Sequence, residues 1–133
     1  MNTEMVGRGC QISLIEDDPR IRQLIEAEIA DEGHHVRSFS SAEDFLEAAG
    51  TLPSDLVLLD LMLPGMDGLT CLAELQKIPS DKPHRVVVVT ALNDAATRQQ
   101  AIRLGAVDYI LKPDLFERLP LLLEELQVDH SES

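Results

Sequence analysis

Five short apolar runs, Cys10 to Ile15, His35 to Phe39, Leu56 to Leu59, Val86 to Val89 and Val107 to Leu111, are each followed by a longer stretch with helical spacing. A strand–helix alternation repeated five times commits the chain to parallel strands joined by helical crossovers. Two of the runs, Leu56-Val57-Leu58-Leu59 and Val86-Val87-Val88-Val89, are apolar at every position. Such strands have no polar face to give to water, so helices must cover both sides of the sheet. The expected fold is an open, doubly wound α/β sheet. Right-handed crossovers then place a ligand crevice outside the C-terminal ends of the strands, where the strand order reverses.

The helical stretches carry their own boundary signals. Ile21, Leu24, Ile25 and Ile29 mark one face of the first, with Glu26, Glu28 and Asp31 opposite and Gly33 closing it. Asp18 directly precedes Pro19, which suits Asp18 to an N-cap. Ser41 is the expected cap of a second helix carrying Ala42, Phe45, Leu46 and Ala49, with Asp44 placed as the capping-box acid and Gly50 ending it. A third is expected from near Asp67 through Leu69, Leu72, Leu75 and Ile78 to Pro79, and a fourth from Asp94 to Gly105. A fifth falls between Leu115 and Gln127, where Pro120 requires either a late start near Arg118 or a kink.

At 133 residues, 44% of them hydrophobic, the chain is long enough for one domain with a core that needs no disulfide or structural metal. We divide it into an N-terminal extension at residues 1–9, a folded unit at 10–127 and a polar C-terminal tail at 128–133. Cys10 and Cys71 stand apart without metal-ligand spacing and read as reduced thiols of a cytoplasmic protein. The 24 acidic against 11 basic residues leave a net charge of −13, which disfavours direct binding to nucleic acid or to anionic membranes. No run approaches the length of a membrane span.

At the strand ends stand Glu16 and Asp17 after the first run, Asp60 after the third, Thr90 after the fourth and Lys112 after the fifth. A carboxylate that ends an apolar run is costly to bury ionised without a cation or donors beside it. Three carboxylates meeting in one crevice exceed what Lys112 alone neutralises, and the remainder suits a hard divalent cation with oxygen ligands, as Mg²⁺ prefers. One acid at a strand end is an ordinary loop or cap residue; the conjunction of all five positions is not. His34 and His35 lie at the start of the second strand, away from this crevice, and are expected to be solvated or locally hydrogen-bonded.

These residues resemble the receiver domain of two-component response regulators from Gln11 to about Gln127. The match lies in Ile15-Glu16-Asp17-Asp18-Pro19, in Asp60-Leu61-Met62-Leu63-Pro64-Gly65-Met66-Asp67-Gly68, in Val89-Thr90-Ala91, and in Gly105-Ala106 leading to Tyr109-Ile110-Leu111-Lys112-Pro113. The resemblance implies a flavodoxin-like (βα)5 fold, a five-stranded parallel sheet in the order 2-1-3-4-5. It further implies that Asp60 accepts a phosphoryl group from a sensor histidine kinase or phosphotransfer protein. Asp17, Asp60 and the Met62 carbonyl would ligate Mg²⁺, with Mn²⁺ as a substitute, and Glu16 would hold it through water. Thr90 and Lys112 would stabilise the phosphoryl group. Thr90 and Tyr109 would form the switch, Tyr109 turning inward as Thr90 moves, and signal through the face of the fourth helix, fifth strand and fifth helix to an output domain, an effector or a second copy of the chain. The Lys112–Pro113 peptide is commonly cis in the family.

The chain departs from the family's pattern at four positions. Met62 and Leu92, two residues beyond Asp60 and Thr90, are apolar where an acid or amide could orient an attacking water, so slow self-dephosphorylation is expected. Asp114 follows Lys-Pro where many relatives have Phe, and Pro120 interrupts the fifth helix. Three other functions compete. An aspartyl phosphatase of the haloacid dehalogenase type needs a second acid where Met62 stands. A flavin-binding electron carrier needs a Ser/Thr/Gly-rich phosphate loop where the chain has Glu16-Asp17-Asp18-Pro19. A receiver-like scaffold that never takes a phosphoryl group should have lost at least one of the five site residues. Both a single-domain regulator and a receiver followed by an output domain fit the sequence.

Overall fold

The apolar runs form the strands. The computed structural model describes residues 9–132, with side chains through Leu126. The elements are β1 (Gln11–Ile15), α1 (Pro19–Asp31), β2 (His35–Phe39), α2 (Ala42–Ala49), β3 (Leu56–Leu59), α3 (Gly68–Leu75), β4 (Val86–Thr90), α4 (Ala95–Arg103), β5 (Asp108–Leu111), a 3-10 turn (Lys112–Asp114) and α5 (Leu115–Glu132). All strand pairs are parallel, in the order β2-β1-β3-β4-β5. The chain reverses direction across the sheet between β1 and β3, where the crevice was expected.

Strand periodicity divides the core into two layers. Val57, Leu59, Val86 and Val88 point to one face, where Phe45, Leu72, Leu75 and Ala101 of α2, α3 and α4 meet them. Leu56, Leu58, Val87 and Val89 point to the other, against Ile25 and Ile29 of α1 and Leu115, Leu119, Leu123 and Leu126 of α5. Adjacent residues therefore serve opposite layers, which is why Leu56–Leu59 and Val86–Val89 carry no polar position; Thr90 ends β4 at the edge of the sheet.

The caps form as expected. Asp18, Ser41, Asp67 and Asp94 each accept a backbone N–H from the first turn of α1, α2, α3 and α4. α3 stops at Leu75 rather than running to Ile78. Lys77 N–H and Ile78 N–H instead donate to Glu74 and Leu75 carbonyls three residues back, because Pro79 disfavours helical geometry at the residue before it. The N-terminal extension expected at residues 1–9 lies, but for Gly9, outside the described residues.

In the last part of the chain one of two alternatives is excluded and one expectation is corrected. α5 begins at Leu115, directly after the 3-10 turn, and carries Pro120 inside it rather than starting late near Arg118. Burial of Leu115 and Leu119 on the sheet draws the first turn into place in spite of the proline. All peptides among the described residues are trans, the Lys112–Pro113 bond included.

Candidate phosphoacceptor site

The site lies at the C-terminal edge of the sheet. Glu16 and Asp17 follow β1, Asp60 follows β3, Thr90 ends β4 and Lys112 follows β5. Backbone bonds extend the sheet past the strands: Glu16 N–H donates to Phe39 O at 3.0 Å and Asp60 N–H to Ile15 O at 3.1 Å. Both carboxylates are thus delivered on rigid backbone. Glu16 is 2% exposed, Asp60 3% and Thr90 0%, whereas Asp17 faces solvent.

Lys112 Nζ lies 2.9 Å from Glu16 Oε1 and 2.9 Å from Asp60 Oδ2. One ammonium bridges two buried carboxylates. The second oxygen of each acid takes a backbone donor, Asp18 N–H on Glu16 Oε2 at 3.0 Å and Met62 N–H on Asp60 Oδ1 at 3.1 Å. Arg22 of α1 reaches back to donate to the Glu16 carbonyl at 2.9 Å. Burial pushes the Glu16 carboxyl up, opposed by the Asp18 N–H and Lys112 and reinforced by the nearby Asp60 charge. Burial works against the Lys112 ammonium as well, yet its hydrogen bonds to Asp60 and Glu16 prevail and hold its pKa above the ordinary value.

A carboxylate oxygen from each of Glu16, Asp17 and Asp60 falls within 4.8 Å of the others. Three anionic oxygens against one ammonium leave a net negative pocket of hard donors, with Asp17 open to water. That set fits Mg²⁺, which takes oxygen ligands and keeps part of its hydration shell.

Tyr109 is not in the carboxylate cluster. It lies on β5, 6% exposed, with its hydroxyl donating to Leu92 O at 2.7 Å. Leu92 N–H in turn donates to Thr90 Oγ1 at 3.3 Å. The backbone of Leu92 therefore joins the two residues that the sequence named as a switch. His34 is buried, and its Nδ1 accepts Cys10 N–H at 3.0 Å, while His35 is exposed.

Sequence reasoning did not find Arg22 or Glu43. Glu43, in the first turn of α2, accepts Met66 N–H at 3.1 Å across 23 residues. Neither contact has a local signature, since each depends on where a long side chain ends after the helices pack.

A doubly wound 2-1-3-4-5 sheet with acids after β1 and β3, a hydroxyl after β4 and a lysine after β5 defines a receiver-type site. Residues 12–124 match the response regulator receiver domain family, and the chain belongs to that family. It is 37% identical over 123 residues to the transcriptional activator protein PfeR of Pseudomonas aeruginosa, covering 90% of this chain and 39% of PfeR. It is 34% identical over 127 residues to the transcriptional regulatory protein GltR of the same organism, covering 92% of this chain and 52% of GltR. The chain thus spans only about two-fifths to one-half of these curated relatives. Among solved structures, the BeF3-activated N-terminal receiver domain of Klebsiella pneumoniae RstA superposes with a TM-score of 0.73 at 33% identity, covering 85% of this chain and 97% of that one. The receiver domain of a Pseudomonas aeruginosa sensor histidine kinase, with a magnesium ion coordinated in its active-site cleft, gives 0.80 at 25% identity, covering 90% and 98%.

Proposed function

We propose that this chain accepts a phosphoryl group onto Asp60 from a phosphohistidine of a sensor histidine kinase or phosphotransfer protein, and that residues 10–127 are the unit that does so. The observation that carries this reading is the setting of Asp60, a buried carboxylate held by Lys112 with two further acids within 4.8 Å. Asp17, Asp60 and the Met62 carbonyl would hold Mg²⁺ directly, with Glu16 acting through water. When bound, the ion offsets the repulsion between Asp60 and an anionic phosphoryl group.

An Asp60 carboxylate oxygen forms the new P–O bond as the P–N bond of phosphohistidine breaks and the imidazole leaves. Lys112 is within reach of the acceptor carboxylate and neutralises charge on the transferred group. Thr90 turns its hydroxyl from Leu92 N–H to a phosphoryl oxygen, which alters one of the two bonds that fix the Leu92 backbone. Tyr109 holds the other. The consequence reaches the α4-β5-α5 face, where an output domain, an effector or a second copy of the chain reads it. The names of PfeR and GltR favour transcriptional control, and their greater length favours an attached domain as the means; a cytoplasmic location fits that role.

Intact and peptide mass spectrometry after incubation with acetyl phosphate tests this. A Mg²⁺-dependent phosphoryl adduct on Asp60, absent with chelator and in Asp60→Asn, is expected. It should persist well beyond seconds, because apolar Met62 and Leu92 cannot orient a hydrolytic water. No adduct on a folded, Mg²⁺-binding protein would instead support a scaffold.

A further inference from the structure

The loop between β3 and α3, Leu61–Asp67, begins directly after Asp60 and carries the Met62 carbonyl. Its near end is tied to the site itself, since Met62 N–H donates to Asp60 Oδ1, and Gly68 N–H at the start of α3 donates to Leu61 O at 3.0 Å and closes the loop. Leu61 and Leu63 anchor it in the core. Its far end is tied to a different element. Glu43 of α2 accepts Met66 N–H at 3.1 Å. Gly65 stands beside this contact at φ 74°, and the left-handed backbone is what requires glycine there. A Cβ would stand 2.7 Å from Glu43 Oε2, the end of a flexible side chain that would have to shift.

We propose that Glu43 is a positioning residue for phosphoryl transfer, holding the Leu61–Asp67 loop through the Met66 N–H so that the Met62 carbonyl and the Asp60 carboxylate keep their places. This rests on the receiver reading above. Among the hydrogen bonds and ion pairs of the described residues, Glu43 meets Met66 N–H and not Asp60 or a group proposed to bind the metal. It acts through the backbone, as outer partners of metal ligands do when they fix the orientation of the inner ones. Its charge also lies in the first turn of α2, where an anion is favoured by the helix dipole. The two roles separate by substitution. Glu43→Gln keeps an oxygen that accepts Met66 N–H and removes the charge; Glu43→Ala removes both.

The experiment compares wild type, Glu43→Gln and Glu43→Ala by three measurements on the full chain: amide hydrogen exchange at Met66, Mg²⁺ affinity by calorimetry, and the rate of adduct formation from acetyl phosphate. Glu43→Ala should exchange Met66 faster and lose about three- to tenfold in Mg²⁺ affinity and adduct rate. Glu43→Gln should stay near wild type in all three. A charge effect would move both variants alike, so equal changes in the two overturn the proposal. So does an unchanged Glu43→Ala beside an active wild type. A wild type that neither binds Mg²⁺ nor forms the adduct overturns the receiver reading, and the positioning role with it.

Discussion

Lys112 is the residue on which the site balances. Its ammonium lies between two buried carboxylates, and removing it leaves both anions without their cation. Breaking such an arrangement costs more than the net value of the pair, because desolvation of the survivors goes unanswered. Lys112→Met should therefore lower stability in Mg²⁺-free buffer by about 3 kcal/mol, and added Mg²⁺ should restore part of the loss, as read by urea denaturation with and without the ion. A second residue-scale effect belongs to His34. Its Nδ1 must be unprotonated to accept Cys10 N–H, and burial lowers its pKa from the ordinary value, with Glu32 and Asp55 opposing that and His35 adding to it. The unfolded chain then binds the proton first. Stability is full above about pH 6.5 and falls as the pH drops below it, by at most about 1.4 kcal/mol per pH unit. Glu16, with its raised pKa, acts in the opposite sense, its contribution being lost as the pH rises above the ordinary carboxyl value. Comparing wild type with His34→Gln isolates the histidine: the variant should lack this slope, and an identical pH profile would refute the assignment.

At the scale of elements, the strands and most helix boundaries were readable from spacing and capping residues alone. Ser41, Asp67 and Asp94 sit next to the turns they cap, and the relevant distances are three or four residues. α5 was only partly readable in this way. The sequence placed it between Leu115 and Gln127, but Pro120 left a late start and a kink both open; Leu115, Leu119, Leu123 and Leu126 share one buried stripe against β1, β3, β4 and β5, and that burial outweighs the missing donor. The helix retains the cost. Pro120→Ala restores an N–H for the Phe116 carbonyl and should raise stability by about 2 kcal/mol, measured as a higher urea midpoint; a lower midpoint would mean that the proline ring packs better than it disrupts. Among the described residues no helix is long and apolar enough to cross a membrane.

The whole molecule carries a net charge of −13 with a negative pocket at one edge of the sheet. Such a charge favours expansion through self-repulsion. Raising monovalent salt from about 0.01 M to about 0.15 M shortens the Debye length from about 30 to about 8 Å, and should raise the midpoint of thermal unfolding; a fall would show that attractive pairs dominate. The sequence by itself determined the strand–helix alternation, the two-faced burial of β3 and β4, the caps, and which residues end each strand, because all of these follow from side-chain periods and neighbours a few residues apart. It also carried the five site residues, since strand ends in a parallel sheet share one edge. Tertiary structure alone decided the reach of Arg22 to Glu16 and of Glu43 to Met66, the inward seat of Tyr109 against Leu92, and the choice against a late start of α5. Each depends on which rotamer a side chain takes, or which helix face is buried, once distant segments are packed together, and no window of the chain contains that information.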